Sequence, residues 1–519
     1  MKRVIAFLLC SVMIVTLFAG CGVKEEAYTP TGNALGVEGT APADPDKQDT
    51  KQDLTLTYFP NRSMNPLFST DMTNRVLFSL MYQGLFSVDR KYQVQPVLCK
   101  NYRISQDMRT WTFYLENATF SDGSKISARD AVATLQRAKT SVYYGGRFTH
   151  ITDISLLEDG GVEIKLDTAF ENLPILLDIP LLKAEEVDAE RPLGTGPYML
   201  DETGLSPRLR RTQWWCSAPL AVTASAVNLI AASEEGSESE QNNKIRDDFM
   251  FNGLDLVCAD PSSDNYSDLR CDYELWSSEN GNFLYLACSI NSNVLKGELR
   301  AALTYAIDRE LLAGDEAYYR GVAQAATLPA SPQFPYYSKA LAKRYAYDPE
   351  RFARAVSDAG MTDAYVVLLV NGDDSRRVRV AEAIARMLED GGLDVSVRVK
   401  KGQSYQNAVR NREYDLYLGQ TRLSPNMDLS AFFSTWGDLS YGGVNNAGAY
   451  ALCLESLANY GNYYTLHSNV MENGLICPIL FQSYAIFTTR GEISALNPTR
   501  DNIFYYSTGK TMEDALIRE

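Results

Sequence analysis

The sequence predicts a protein of the α/β class, and three observations carry that prediction. From residue 364 to 419 short apolar runs alternate with amphipathic helical patterns in the order strand, helix, strand, helix, strand. That succession calls for a parallel sheet with right-handed crossovers. The helical patterns are punctuated by capping chemistry at their ends. The composition fits as well: 519 residues, 45% hydrophobic and 22% charged, are ordinary values for a soluble globular chain, and the length suffices for two or three domains.

The N-terminus stands apart from that body. Met1, Lys2 and Arg3 precede an apolar run from Val4 to Phe18, shorter than the roughly 20 residues of a membrane span. A basic start, a short apolar core and small residues before a cut site have the form of a secretory signal over 1–20. "TLFAGCGVKEE" (16–26) resembles a bacterial lipobox, which implies lipidation of Cys21 as the first residue of the mature chain. Phe18 stands where that motif usually has leucine, and an ordinary cleaved signal with an incidental Cys21 is the competing reading. Residues 21–53 are rich in Gly, Pro, Thr, Asp and Lys. Such a segment buries too little surface to offset its ordering entropy, so it reads as a flexible tether reaching on the order of 30 Å.

The body begins with "DLTLTYFP" (53–60), where Leu54, Leu56 and Tyr58 alternate onto one face of a half-buried strand. "WTFYLE" (111–116) predicts another strand. In "FSDGSKISARDAVATLQRA" (120–138) a turn at Ser121-Asp122-Gly123 leads to a helix with Ser127 as N-cap and Asp130 at N3, a variant capping box. "LRAALTYAIDRELLAG" (299–314) predicts one helix with Leu299, Ala302, Leu303, Ala306, Ile307 and Leu311 on its apolar face, ended by Gly314. "YDPERFARAVSDAG" (347–360) is punctuated at both ends, by Asp348 and Pro349 at the start and by Gly360 at C′. There follow a strand at 364–370, a helix at 375–390 stopped by Gly391, the alternating strand "LDVSVRVK" (393–400), a helix near 403–411 and the strand "YDLYLG" (414–419). Open sheets of this kind bind ligands at the carboxyl ends of their strands.

Charge and motif content exclude several functions. The net charge is −16, from 65 acidic and 49 basic residues, with no long basic run. Nucleic acid is therefore not an expected partner, and anionic lipid would repel the body. After Cys10 and Cys21 the cysteines are Cys99, Cys216, Cys258, Cys271, Cys288, Cys453 and Cys477, with no C-x-x-C spacing; neither a zinc site nor a redox motif is supported. A Cys258–Cys271 pair stays open, while buried free thiols are favoured. His150 and His467 are the only histidines, so no metal site is expected. "STGK" (507–510) and "SDN" (263–265) match two penicillin-binding-protein elements, but in reversed order and without K-T-G. Gly509-Lys510-Thr511 lacks the upstream glycine of a P-loop, since Phe504 stands there, and "GTGPYML" (194–200) lacks the third glycine of a dinucleotide fingerprint. No catalytic residue and no cofactor is assigned. The 31 tyrosines suit a recognition cleft, although each alone is more often a packing residue.

"MYQGLFSVDR" (81–90), "ATFSDGSKISARDAV" (118–132), "GTGPYML" (194–200), "FNGLDLV" (251–257), "LRAALTYAIDRELL" (299–312), "YDPERFARAVSDAG" (347–360) and "YDLYLG" (414–419) occur in an order that resembles the family 5 extracellular solute-binding proteins of ABC importers, the peptide-, nickel- and oligosaccharide-binding group. The resemblance implies a two-lobed, periplasmic-binding-protein-like fold of type II (a venus flytrap). Lobe I would comprise 54–275 with a subdomain inserted at about 70–190 and a C-terminal return, 478–519; lobe II would comprise 280–477. It also implies a monomer on the outer face of the cytoplasmic membrane that delivers a small solute, an oligopeptide or peptide-like compound, to a permease with its own ATPase subunits. A surface-anchored hydrolase and a sensing receptor uncoupled from transport are the alternatives.

Pocket candidates follow from position within that resemblance: Tyr58, Asn61 and Asn65 after the first strand, Tyr82, Trp214 and Trp215, Asn291, and Gln420, Arg422 and Asp428 at the strand end "GQTRLSPNMD". Trp214 and Trp215 stand where the family has a Tyr-Trp pair that often packs between elements. Peptide binders of the family place a tryptophan and then an amine-binding aspartate where Gln420 and Leu423 stand here. Leucine cannot accept a charge-assisted hydrogen bond, which contributes about 1.5–3 kcal/mol. The expectation is that Arg422 binds an anionic group of the solute, with Asp428 as a substitute acid.

Overall fold

Two long strands organise the molecule. Tyr273–Cys288, sixteen residues, and Cys477–Thr489, thirteen residues, pair antiparallel along most of their length. In this computed structural model the described residues are 53–213, 222–259, 269, 271–441, 446–493 and 496–517. The signal, Cys21 and the tether, together with Trp214 and Trp215, lie outside them. The long pair forms the centre of a sheet ordered Leu256–Ala259, Cys477–Thr489, Tyr273–Cys288, Leu416–Arg422, Tyr365–Asn371, Asp394–Lys400, with the short strand Ala323–Ala325 also on Cys477–Thr489.

Past one end of the pair lies the β-α-β-α-β unit expected from the sequence. Tyr365–Asn371 runs parallel to both Asp394–Lys400 and Leu416–Arg422, and the helices Ser375–Asp390 and Gly402–Arg410 make the crossovers. Val366 to Val370 are all buried, as a parallel strand covered on both faces requires. Asp374 caps the first crossover helix by accepting from the Arg377 amide at 2.9 Å, and Gly391 closes it. Val380, Ile384 and Leu388 from that helix meet Leu368, Leu418 and Ile479 in one core.

One expected helix is two. The chain from 297 to 314 breaks into Gly297–Ala306 and Arg309–Gly314, with Ile307 extended and Asp308 capping the second piece. The buried Arg309 guanidinium donates to the carbonyls of Thr304 (2.9 Å), Ile307 (3.2 Å) and Pro478 (2.8 Å), which satisfies the broken end. The break turns Leu311 outward, where it is exposed.

Past the other end lies a sheet of Asp53–Tyr58, Ala226–Ala231, Arg208–Arg211 and Tyr198–Asp201, with the first two parallel. A separate antiparallel sheet joins Cys99–Ile104, Thr110–Leu115, Val162–Leu166 and Ile151–Leu156. Helix Ala128–Ala138 accompanies that sheet and carries the expected Ser127–Asp130 capping box. "GTGPYML" proves to be a packing motif: a Cβ on Gly194 would lie 2.0 Å from the Met81 carbonyl oxygen, and one on Gly196 would lie 2.5 Å from that of Leu80. Only glycine lets this segment meet the end of helix Met72–Met81. The C-terminal stretch returns to the same body, where Leu516 bridges to Tyr102.

Cys99, Cys288, Cys453 and Cys477 are buried free thiols, and burial raises each above its ordinary pKa, Cys99 to about 12. Among the described residues no helix is long and apolar enough to cross a membrane.

Candidate functional site

Where the long strands cross between the two bodies, their register shifts between Glu279 and Phe283. Gly281 sits in this irregularity at φ +80°, and a Cβ there would meet the Arg500 guanidinium carbon at 2.5 Å. The crossing floors a cavity of about 340 Å³. Its walls come from the hairpin segment Val88–Tyr92, from Ser277–Glu279 and Ser483 of the long strands, from Ala313, Gly314 and Ala323–Ala325, and from Arg500 and Asp501. A smaller cavity of about 70 Å³ shares Val88, Asp178, Arg500 and Asp501 with it and continues between Arg75, Phe78, Tyr82, Tyr143 and Tyr484.

Charge is dense around these cavities. Asp501 accepts from Arg422 Nη2 at 2.6 Å, from Arg147 Nη2 at 2.8 Å and from the Tyr143 hydroxyl at 3.1 Å, while Arg500 Nε lies 3.5 Å away. Burial works against the Asp501 charge, but Arg422, Arg147 and Arg500 outweigh it and hold the carboxyl far below the usual range. Arg147 also pairs with Asp178. The Tyr143 ring is held between two guanidiniums, with its centroid 3.3 Å from Arg75 and 3.9 Å from Arg422. Glu279, at the crossing, accepts from the Tyr92 hydroxyl at 2.6 Å and from Ser331, and burial pushes its pKa up against these partners.

The residues expected from the sequence scatter. Tyr58 donates to Glu202 (3.0 Å), the Asn61 amide to Glu234 (3.0 Å), and Asn65 clamps the carbonyls of Val187 and Ala189. Tyr82 borders the smaller cavity but donates to the carbonyls of Met64 and Pro192. Asn291 is exposed on a turn. Gln420 accepts from Arg377 (2.9 Å) and Gln482 (2.8 Å). Arg422 is occupied by Asp501, by Tyr143 and by the Asn280 carbonyl at 3.0 Å. Asp428 lies in a buried network with His150 Nε2 at 3.4 Å and the Ser430 hydroxyl at 2.6 Å. Sequence reasoning passed over Arg90, Tyr143, Arg147, Arg500 and Asp501. Their only signal was the adjacent charges of "TRDN" (499–502), since residues 354 positions apart meet at Asp501.

The sequence profile of the bacterial extracellular solute-binding proteins, family 5, matches residues 93–443. The chain belongs to that family. It is similar to a glutathione-binding protein of Escherichia coli O1:K1, 23% identical over 353 residues that make up 64% of this chain and 67% of that one. It is likewise similar to the nickel-binding periplasmic protein of Escherichia coli K12, 24% identical over 391 residues, 69% and 72% of the two chains. Among solved structures, an ABC transporter substrate-binding protein from Listeria monocytogenes superposes with a TM-score of 0.69 at 18% identity, covering 88% of this chain and 98% of that one. NikA from Brucella suis in complex with Fe(III)-EDTA gives 0.68 at 18% identity, covering 89% and 100%.

This family 5 protein therefore has the two-lobed type II fold and is a solute-binding component of an ABC importer, working at the outer face of the membrane with a small-molecule solute and a permease as partners. It is a binder and not an enzyme. One arrangement mimics a hydrolase: His150 Nδ1 lies 2.9 Å from Asp167, and its Nε2 lies 3.3 Å from Ser430 Oγ. Ser430 is 1% exposed and donates to Asp428, so no substrate carbonyl reaches it.

Proposed function

We propose that this protein is a lipid-anchored, monomeric receptor that captures a short peptide-like solute between its lobes and hands it to an ABC permease. The observation that carries the reading is the cavity of about 340 Å³ walled by elements from either side of the two crossing strands. That volume is at the small end of ligand pockets, about 300–1,000 Å³, which favours a short compound over a long peptide. We take lobe I as 54–275 with an inserted subdomain at about 70–190 and the return 478–519, and lobe II as 280–477. Among the described residues two strands of the sheet cross between them, so opening is a hinge motion, and solute shifts the population toward the closed form by its better contacts there. Cys21 carries the lipid, and 21–53 is the tether.

Native mass spectrometry of the full chain in mild detergent tests the reading by identifying a co-purified small molecule. Gly314 lines the cavity, and a Cβ there meets no atom within 4 Å, so Gly314→Phe is expected to fold and to set a ring at the cavity wall, where it competes with solute. The expected result is a peptide-like mass on the native protein and none on the variant. Equal loading of both proteins refutes the cavity as the solute site.

A further inference from the structure

The hairpin of Phe86–Val88 and Val94–Pro96 turns at a tip, Asp89–Gln93, that lies against the interlobe cavity. Asp89 shapes this tip: its carboxylate accepts from the amides of Lys91 (2.7 Å) and Gln93 (2.8 Å), and its carbonyl accepts from the Tyr92 amide at 3.1 Å. The turn holds Tyr92 at φ +61°. That conformation is sterically costly for a bulky side chain and persists only where the surroundings over-determine it. Here they do. The Tyr92 hydroxyl donates to Glu279 Oε1 at 2.6 Å, and its ring meets that of Phe334 edge-on with centroids 5.7 Å apart. Ser331 donates to the same Glu279 carboxylate. A side chain carried by one lobe is thus seated on the crossing strand and on the other lobe, and it is 6% exposed.

Asp89 and Tyr92 line two spaces at once: the cavity of about 340 Å³ and, on the other side of the tip, a groove of about 560 Å³. The facing wall divides at the same place, since Gln333 lines the cavity and the adjacent Phe334 lines the groove. The groove continues past Asn172, Tyr336 and Tyr460, with Tyr336 exposed, a surface of rings and amide groups on which a longer solute could lie. We propose that Tyr92 is a partition: its ring closes one end of the solute cavity and so limits the length of the solute. The inference rests on the cavity being the solute site. The turn itself does not require tyrosine, because glycine or asparagine adopts the same φ at less cost; the ring is what the strained position supplies.

The experiment offers the full chain, freed of co-purified solute, an equimolar set of alanine peptides of two to six residues, and native mass spectrometry reads the bound masses. The native protein is compared with Tyr92→Gly, with Tyr92→Asn, whose short side chain tolerates the same φ, and with Tyr92→Phe, which keeps the ring. The expected result is that the ratio of bound five- and six-residue peptides to bound two- and three-residue peptides rises at least fivefold in Tyr92→Gly and Tyr92→Asn, while Tyr92→Phe stays nearer to the native ratio than to either. An unchanged ratio in either short variant, a full rise in Tyr92→Phe, or capture by none of the four proteins overturns the partition. The Gly314→Phe comparison on the co-purified solute decides the cavity reading separately: retained loading there removes the cavity as the solute site, whereas lost loading with an unshifted peptide ratio removes the partition alone.

Discussion

Replacing Asp501 by asparagine keeps the side chain's shape and removes the charge on which three guanidiniums converge. Arg147 retains Asp178, and Arg422 retains the Tyr143 hydroxyl and the Asn280 carbonyl. Arg500 retains one carbonyl acceptor, at Leu423. Removing one partner of a buried ion pair costs about 3–5 kcal/mol, and these residual partners place Asp501→Asn near 3. Chemical denaturation at pH 7 measures it. The pH dependence adds a second constraint. The folded Asp501 carboxyl is held far below its ordinary range, so its contribution is complete above about pH 4 and is lost as pH falls further, at about 1.4 kcal/mol per pH unit. The gap between native protein and variant must therefore narrow below pH 4. A gap under about 1 kcal/mol at pH 7, or one that does not narrow in acid, refutes the reading of Asp501 as the charge that holds the cluster. A cycle with Arg422→Met should give a coupling of about 0.5–3 kcal/mol.

Other consequences are equally direct. His467 is fully buried, neither ring nitrogen is hydrogen-bonded among the described residues, and burial lowers its pKa to about 3. As pH falls through about 6.5 the unfolded chain takes up a proton that the folded one refuses, so stability at pH 5 drops by about 2 kcal/mol from this residue, and His467→Phe should remove that slope from denaturation curves. His150 acts with the opposite sign. Burial lowers its pKa, but Asp428 and Asp167 raise it on balance, so its stabilisation is full below about pH 6.5 and fades above the raised value; His150→Gln should flatten that part of the profile. Gly281→Ala adds a Cβ at positive φ against Arg500 and should destabilise by more than about 1 kcal/mol, read by thermal unfolding. Cys21→Ala should move the protein from the membrane fraction to the soluble fraction on cell fractionation.

The sequence was most legible where structure is local. Asp348 and the Ser127–Asp130 box cap their helices as their spacing implied, because a cap involves neighbours three residues apart. The parallel unit was readable for the same reason: each strand and helix declares its own period. The helix break at Ile307 was not readable, since Asp308 sits within an intact apolar period and the break depends on Arg309 reaching Pro478. The long strands were missed for opposite reasons. Cys477–Thr489 is nearly all buried and shows no alternation, whereas Tyr273–Cys288 carries a polar Ser-Ser-Glu-Asn-Gly-Asn run through its middle. That run is the crossing itself. The site was the least legible part, because Arg90, Arg147, Arg422 and Arg500 are brought together by the topology and share no spacing.

The buried thiols bear on how the chain matures. Export places the polypeptide where oxidants form disulfides, and thiolate is the form that reacts. In the folded protein Cys99, Cys288, Cys453 and Cys477 are kept protonated and out of contact with solvent, so they are nearly inert. In the emerging chain the same four groups are exposed with ordinary reactivity, and no native bridge among them exists to guide pairing. Maturation is thus a race between core formation and oxidation, and Cys288 and Cys477 are sheltered only once two strands that lie almost two hundred residues apart have paired.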